Sequence, residues 1–485
     1  MVLILALLLW NPALWTTFRD FRHVTSIVAN QRYVYIATQK GIARYDKLKE
    51  LWEVPPTKTP FPEKIGVIGF DSYTGEVWFT TPGYLNRYNP IFEDYKSFNI
   101  PPNILTTDSI GISKDFICLA KSTGIKFDKL MEEWKSLDSL PKDIRWFPSS
   151  YPEDYPLLAP YYVYVPYELQ MQYDMTCVAE DGQDLWVGTA GYGVYKYNVV
   201  NLEVEHYLFG IFCELVAAIW KEGSTIWFAG SGITEWNKAN TSWKYFSPSK
   251  EVGLLSDNVS SVVSNKRFVF FGTDEGLSIY DKSDGTWKTY RTSEGLPNNE
   301  ITCLYIKEDT LWIGTTRGIA KLVKDKIVEV PSEFRKVRIN DVAVAPSYLL
   351  VATSRGVYTR SKDGLSQVKD PDELLDFGVT KILVDDDTFY FGTKMGVLAY
   401  NKGKWKRFKH PVELPSNNVL SFASDNSNLW IGTNAGVARF DKITKVWLTY
   451  DRINSPISGG VYAILIDNPY IYFGTEEGVI RYYFK

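Results

Sequence analysis

The sequence predicts an all-β propeller of eleven four-stranded repeats, and three observations predict it. A segment of the form LWIGTTRGIAKL (311–322) returns throughout the chain, successive copies stand about 41 residues apart, and a fixed position upstream of each copy is nearly always small. A period in this range with strand-like segments is the pattern of propeller blades, which bury their faces only against one another.

The copies align on the first aromatic of the segment: Tyr35, Trp78, Cys118, Trp186, Trp227, Phe270, Trp312, Leu350, Tyr390, Trp430 and Tyr472. Each repeat then reads the same way. A first strand of alternating apolar residues, such as Val419 to Phe422, is followed by a short turn. The aromatic-x-Gly-Thr stretch is the second strand, a tight glycine turn leads to the third, and the fourth often begins with Trp, as at Trp52, Trp243, Trp287 and Trp447. Glycine suits that turn because it takes a positive φ at little steric cost. Nine residues before the aromatic stand Ser26, Gly69, Ser109, Cys177, Ala218, Ser261, Cys303, Asp341, Lys381, Ser421 and Ala463. Small side chains there let neighbouring blades approach near the axis. Asp341 and Lys381 break the rule in adjacent repeats, where they are placed to pair across a blade boundary.

Ring closure is expected from the chain ends. The last repeat stops after its third strand, and LWTTFRD (14–20) matches the fourth-strand pattern of TWKTYRT (286–292), so the N-terminal strand is expected to complete the C-terminal blade and remove its open edge. Eleven repeats fit one wide ring, which the sequence favours, or two rings of five and six.

Composition limits the function. Of 485 residues, 45% are hydrophobic and 23% charged, which excludes a largely disordered chain. A net charge of −4 excludes a broadly basic nucleic-acid binder, and three His with four Cys leave little for a metal centre. No metal and no cofactor are expected. The apolar run VLILALLL (2–9) is too short to span a bilayer and suits the core of a secretory signal, although no basic residue precedes it and no A-x-A site follows. Residues 1–13 are therefore read as a signal peptide and 14–485 as the propeller, exported to a periplasm, cell surface or medium. The alternative is an apolar strand tucked into the fold. No later stretch is long enough for a membrane anchor.

The repeat LWIGT-x-x-G-[IV]-x-x-Y-[DN], with W-x-x-Y after it and linkers such as GLPNNEI (295–301), GLLSDNV (253–259) and ELPSNNV (413–419), resembles the two-component regulator propeller repeat. The resemblance implies a propeller in the extracytoplasmic sensing part of hybrid sensor kinases, often glycan-responsive ones. The sequence shows no transmembrane helix, immunoglobulin-like connector, kinase segment or DNA-binding tail, so signalling within this one chain is not expected.

Two candidate sites stand out. A spacing of 68 marks an insertion at 138–173, rich in Pro and aromatics, whose Trp146, Phe147, Tyr151, Tyr155, Tyr161 and Tyr162 suit sugar stacking or protein contact. It also reads as a Pro-stiffened loop folded onto one face of the ring and closing the channel. The linker residues Asn258, Asn298, Asn299, Asn417 and Asn418 should cluster on one face, to bind a polar ligand or to satisfy their own turns. The cysteines read as packing residues, with a Cys177–Cys213 bridge as the alternative, and Asp385 to Asp387 reads as a solvated turn rather than a Ca²⁺ loop. No nucleophile elbow, H-E-x-x-H, P-loop or dinucleotide fingerprint is present, so no catalytic residue is assigned. The expected function is an exported, non-catalytic propeller contacting protein or glycan. The alternatives are a polysaccharide lyase or hydrolase, and a sensor subunit for a separate membrane-protein partner.

Overall fold

The computed structural model describes residues 11, 14–57, 61–102, 109–119, 125–137, 139–140, 142–148, 175–329, 334–345, 348–361, 364–368 and 378–484. The chain is all-β, with eleven antiparallel sheets and no α-helix among the described residues. It folds as two compact units, which divide between Gly210 and Ile211.

The unit from 211 onward holds seven sheets. Their first strands are Val216–Glu222, Val259–Ser264, Ile301–Lys307, Ile339–Val344, Lys381–Asp385, Val419–Ser424 and Ala463–Asp467. Each first strand packs on the next, and the series returns, because Ala463–Asp467 packs on Val216–Glu222. The seven first strands close a cycle, so this unit is a seven-bladed propeller. The single wide ring that the sequence favours is therefore not formed, and neither is a division into five and six.

What allows this packing is the glycine of the Gly-Thr motif. A Cβ on Gly272 would lie 2.6 Å from Ile301 of the next sheet, one on Gly392 2.7 Å from Val419, and one on Gly432 2.4 Å from the Val461 carbonyl. The same contact closes the cycle, where a Cβ on Gly474 would meet the Val216 carbonyl at 2.6 Å. The threonine beside each glycine fixes the following turn. The Thr273 hydroxyl donates to the Gly276 carbonyl at 2.7 Å, and Thr315 and Thr433 do the same to Gly318 and Gly436. Those turn glycines have φ of +134°, +143° and +127°, backbone that favours glycine. The motif aromatics form the sheet cores, and Trp78, Trp186, Trp227 and Trp430 are all fully buried. Opposite Trp78 and Trp430 on the third strand stand Arg87 and Arg439, whose guanidinium carbons lie 5.7 and 6.0 Å from the indole centroids. Such cross-strand cation–aromatic pairs contribute about 0.5–1 kcal/mol each.

An ion cluster holds the closing junction. Asp467, on the seventh first strand, receives Lys221 Nζ of the first sheet at 2.5 Å and is also bonded by Lys238. Burial works to raise the Asp467 pKa, but the two lysines outweigh it and hold the carboxyl below its ordinary value.

The unit 11–210 holds four sheets, with first strands Val24–Ala29, Ile68–Phe70, Ser109–Ile112 and Met175–Asp181. The sheet of Val24–Ala29 packs between those of Ile68–Phe70 and Met175–Asp181. Trp15–Phe18 forms a strand, as its match to 286–292 predicts. The start of the insertion is part of the fold. Arg145–Pro148 joins the third sheet as a fifth strand, antiparallel to Ser109–Ile112, with Phe147 opposite Ile110 and Trp146 opposite Gly111. Phe147 enters the space left by Gly69, where a Cβ would lie 2.8 Å from its ring, and is buried with Ile68, Trp78 and Ile110.

Two outcomes test this account. Asp467→Asn leaves two lysines facing a neutral side chain and is expected to cost about 2 kcal/mol in urea denaturation, less than a fully buried pair because the lysines are partly exposed. The Asp467 pKa is depressed on folding, so its contribution is complete above the unfolded value near pH 4 and lost as pH falls through the folded value; the variant's melting temperature should lack that acid-side loss. Phe147→Ala is expected to cost about 3 kcal/mol, the penalty of a cavity in a packed core.

Candidate functional site

Most of the first strands open with a bulge, one residue after the β-branched position. The bulged residue re-aims a polar side chain at the neighbouring sheet. In the seven-bladed unit the Ser260 hydroxyl donates to the Ile301 carbonyl at 2.7 Å, Thr302 to Ile339 at 2.6 Å, and Thr380 to Val419 at 2.9 Å. The Asn340 amide donates to the Val379 carbonyl at 2.8 Å. Four consecutive sheets are thus tied to their successors by side chains next to the axis. Thr25 bonds Ile65 in the same way in the other unit.

The adjacent small position, which the sequence presents as a packing site, also carries hydrogen bonds. Ser261 accepts the Leu304 N–H at 3.1 Å, and Asp341 accepts the Ile382 N–H at 2.8 Å. Asp341 therefore does bridge a blade boundary, but its bonded partner is backbone beside Lys381. Desolvation pushes the Asp341 carboxyl above its ordinary range, and the nearby Lys381 charge opposes that rise.

A cavity of about 710 Å³ opens where these strands begin. Its volume is that of a small-molecule site. The second sheet contributes Asn258, Ser260 and Asp274, and the third Glu300, Ile301 and Thr302. The fourth gives Arg338, Asn340 and Ser354, and the fifth Gly378, Thr380, Lys381 and Lys394. Charge is sorted by position, with both carboxylates on the second and third sheets and all three cations on the fourth and fifth. The Asn258 amide donates to Asp274 at 3.0 Å, and Arg338 reaches Glu300 at 3.5 Å.

Of the candidate site residues only Asn258 lines this cavity, together with Lys381, one of the two exceptions at the small position. Asn299 and Asn417 do equivalent turn work, accepting the Thr292 and His410 N–H groups, each at 2.8 Å. Asn298 accepts the Thr316 hydroxyl at 3.0 Å, and the Asn418 backbone carbonyl accepts the Asn434 N–H. Phe147 is core and Trp146 is half-buried over Gly111. Tyr151, Tyr155, Tyr161 and Tyr162 lie outside the described residues. The four cysteines are buried and unbridged, and burial pushes the Cys177 and Cys303 thiols up to about 12, far from nucleophilic use. Asp385 and Asp387 are engaged by Lys442 and Lys402, as turn residues. Sequence reasoning missed Arg338, Lys394 and the bulge hydroxyls. The hydroxyls had a signal, since position −10 from the aromatic reads Thr25, Thr176, Ser260, Thr302, Asn340 and Thr380.

Residues 295–317 and 413–435 match the family model described as two component regulator propeller. The chain carries two-component regulator propeller repeats. The first matched stretch contains Glu300, Ile301 and Thr302, so a two-component regulator propeller repeat itself builds one wall of the cavity. No curated protein matches the chain. Among solved structures, the extracellular domain of a putative hybrid two-component system from B. thetaiotaomicron is 14% identical, with 97% of this chain and 83% of that one covered and a TM-score of 0.49. PorZ, a surface component of the type-IX secretion system of Porphyromonas gingivalis, is 13% identical over 95% of this chain and 74% of its own, with a TM-score of 0.47. Virginiamycin B lyase from Staphylococcus aureus is 15% identical over 56% of this chain and 94% of its own, with a TM-score of 0.46.

The inter-sheet ties have a measurable consequence. Thr302→Val removes one of them while keeping side-chain volume, and equilibrium denaturation should show a loss of about 1 kcal/mol.

Proposed function

We propose that this chain is an exported, non-catalytic binding propeller that takes a small polar ligand at the channel mouth of its seven-bladed unit. The observation that carries the reading is the cavity itself. It draws on four consecutive sheets, and its lining is polar or charged apart from Ile301 and Gly378. A packed structural channel gains nothing from sorted charges at its rim, whereas an oriented ligand does. Both carboxylates are already engaged, Asp274 by Asn258 and Glu300 by Arg338, an arrangement suited to holding a ligand rather than passing protons. Export is supported by the apolar run at 2–9 and by the repeat family. In this reading the chain senses or presents its ligand to a separate membrane-protein partner.

The test is a thermal-shift screen of the chain from Leu14 onward against saccharides, organic acids and short peptides. A ligand that binds only the folded chain raises the melting temperature by an amount set by its concentration over Kd, about 2.7 kcal/mol of stabilisation at a hundredfold excess. Asn258→Ala is expected to abolish the shift, and Trp146→Ala to leave it. A shift lost only in Trp146→Ala would move the site to the insertion.

A further inference from the structure

The hydrogen bonds that tie the sheets together also dictate what the cavity can bind. A hydroxyl has one proton and two acceptor lone pairs. Ser260, Thr302 and Thr380 each direct that proton at a carbonyl of the next sheet. Towards the cavity they can only accept. Asp274 and Glu300 add two acceptor-only groups on the same side. An occupant must therefore donate hydrogen bonds over much of its surface, as a polyol does.

On the fourth and fifth sheets the demand is the opposite. Arg338, Lys381 and Lys394 are donors only. Neither Lys381 nor Lys394 has a carboxylate within ion-pair distance among the described residues. Asp341 is near enough for its charge to act on Lys381, and one of its oxygens accepts the Ile382 N–H. Three cations and two carboxylates leave the lining with one net positive charge. That balance suits a monoanion. A phosphate ester, with a charge of about −1.5 to −2 near neutral pH, would meet repulsion from Asp274 and Glu300.

We propose that the cavity binds a polyhydroxylated carboxylate, a sugar acid of the uronate class, with its carboxylate against Arg338 and Lys381 and its hydroxyls donating to the bulge oxygens and to Asp274 and Glu300. This rests on the channel-mouth reading above and narrows its ligand to one chemistry. The hydroxyls set it apart from simple organic acids, and the single carboxylate sets it apart from neutral sugars and sugar phosphates.

Isothermal titration of the chain from Leu14 onward decides it, using galacturonate, the matching neutral galactose, glucose 6-phosphate, and acetate. Galacturonate should bind, and galactose should bind at least about tenfold more weakly. Lys381→Met should remove that preference for the acid. Should Lys381→Met unfold the chain, Lys394→Gln, on an exposed turn, should still weaken the uronate at least about threefold while leaving the melting temperature of the free protein unchanged. Equal affinity for acid and neutral sugar would overturn the inference, as would tighter binding of glucose 6-phosphate, or displacement of the uronate by acetate at equal concentration. A neutral sugar that binds and is lost in Asn258→Ala would overturn the ligand class and keep the site. No binding across the whole panel, neutral sugars and the peptide and organic-acid screen included, would overturn both.

Discussion

The structure depends on how closely one sheet can approach the next at the Gly-Thr motif. There is no room for a methyl group at Gly272, Gly392, Gly432 or Gly474, because the first strand of the neighbouring sheet already occupies that space. The approach is short enough for backbone and side chain of adjacent sheets to hydrogen-bond directly. Without it, Ser260 could not reach Ile301, nor Asn340 Val379. One steric requirement therefore sets both the packing of the blades and the orientation of the polar groups around the axis.

This coupling explains why one segment of each repeat serves two purposes. The bulge that turns Thr302 towards Ile339 also places it on the cavity wall. Its proton is spent inside the protein, and its lone pairs are left facing the cavity. Charged residues just before the first strand, Glu300 and Arg338, and just after the Gly-Thr turn, Asp274 and Lys394, sit outside this ladder of bonds. They can vary from blade to blade without disturbing the frame. Over three of these sheets the scaffold thus supplies acceptors, and the charges give that stretch of the rim a direction.

Much of the frame was legible in the sequence because each constraint recurs about every 41 residues. The aromatic, the small position and the Gly-Thr pair each mark a contact repeated in blade after blade. The division into units was not legible, because Gly474 meets Val216 by the same contact that Gly272 makes with Ile301. A closing junction is chemically like any other, so no residue announces it. The insertion misled for a related reason. Phe147 looks like a surface aromatic in a Pro-rich loop, but its strand pairs with Ser109–Ile112 and its ring packs over Gly69 beside Ile110 and Ile112. The site was legible only at Asn258 and, as an exception to the small position, at Lys381, since the cavity joins residues spread from 258 to 394 whose nearness depends on ring curvature.

The exceptions at the small position now acquire a reason. Asp341 stands where other repeats carry Ser, and it makes the bond that Ser261 makes, accepting an N–H of the next first strand. A serine would satisfy that N–H without the cost of burying a carboxylate, whose pKa is raised by desolvation. The charge must serve something else, and the residue it acts on is Lys381, the other exception, one sheet further on. Lys381 stands in the cavity lining, where an unscreened ammonium would repel its neighbours Arg338 and Lys394. Asp341 lies close enough for its charge to act on Lys381, while one of its oxygens accepts the Ile382 N–H. Two departures from the repeat pattern thus act together to maintain the positive side of the cavity.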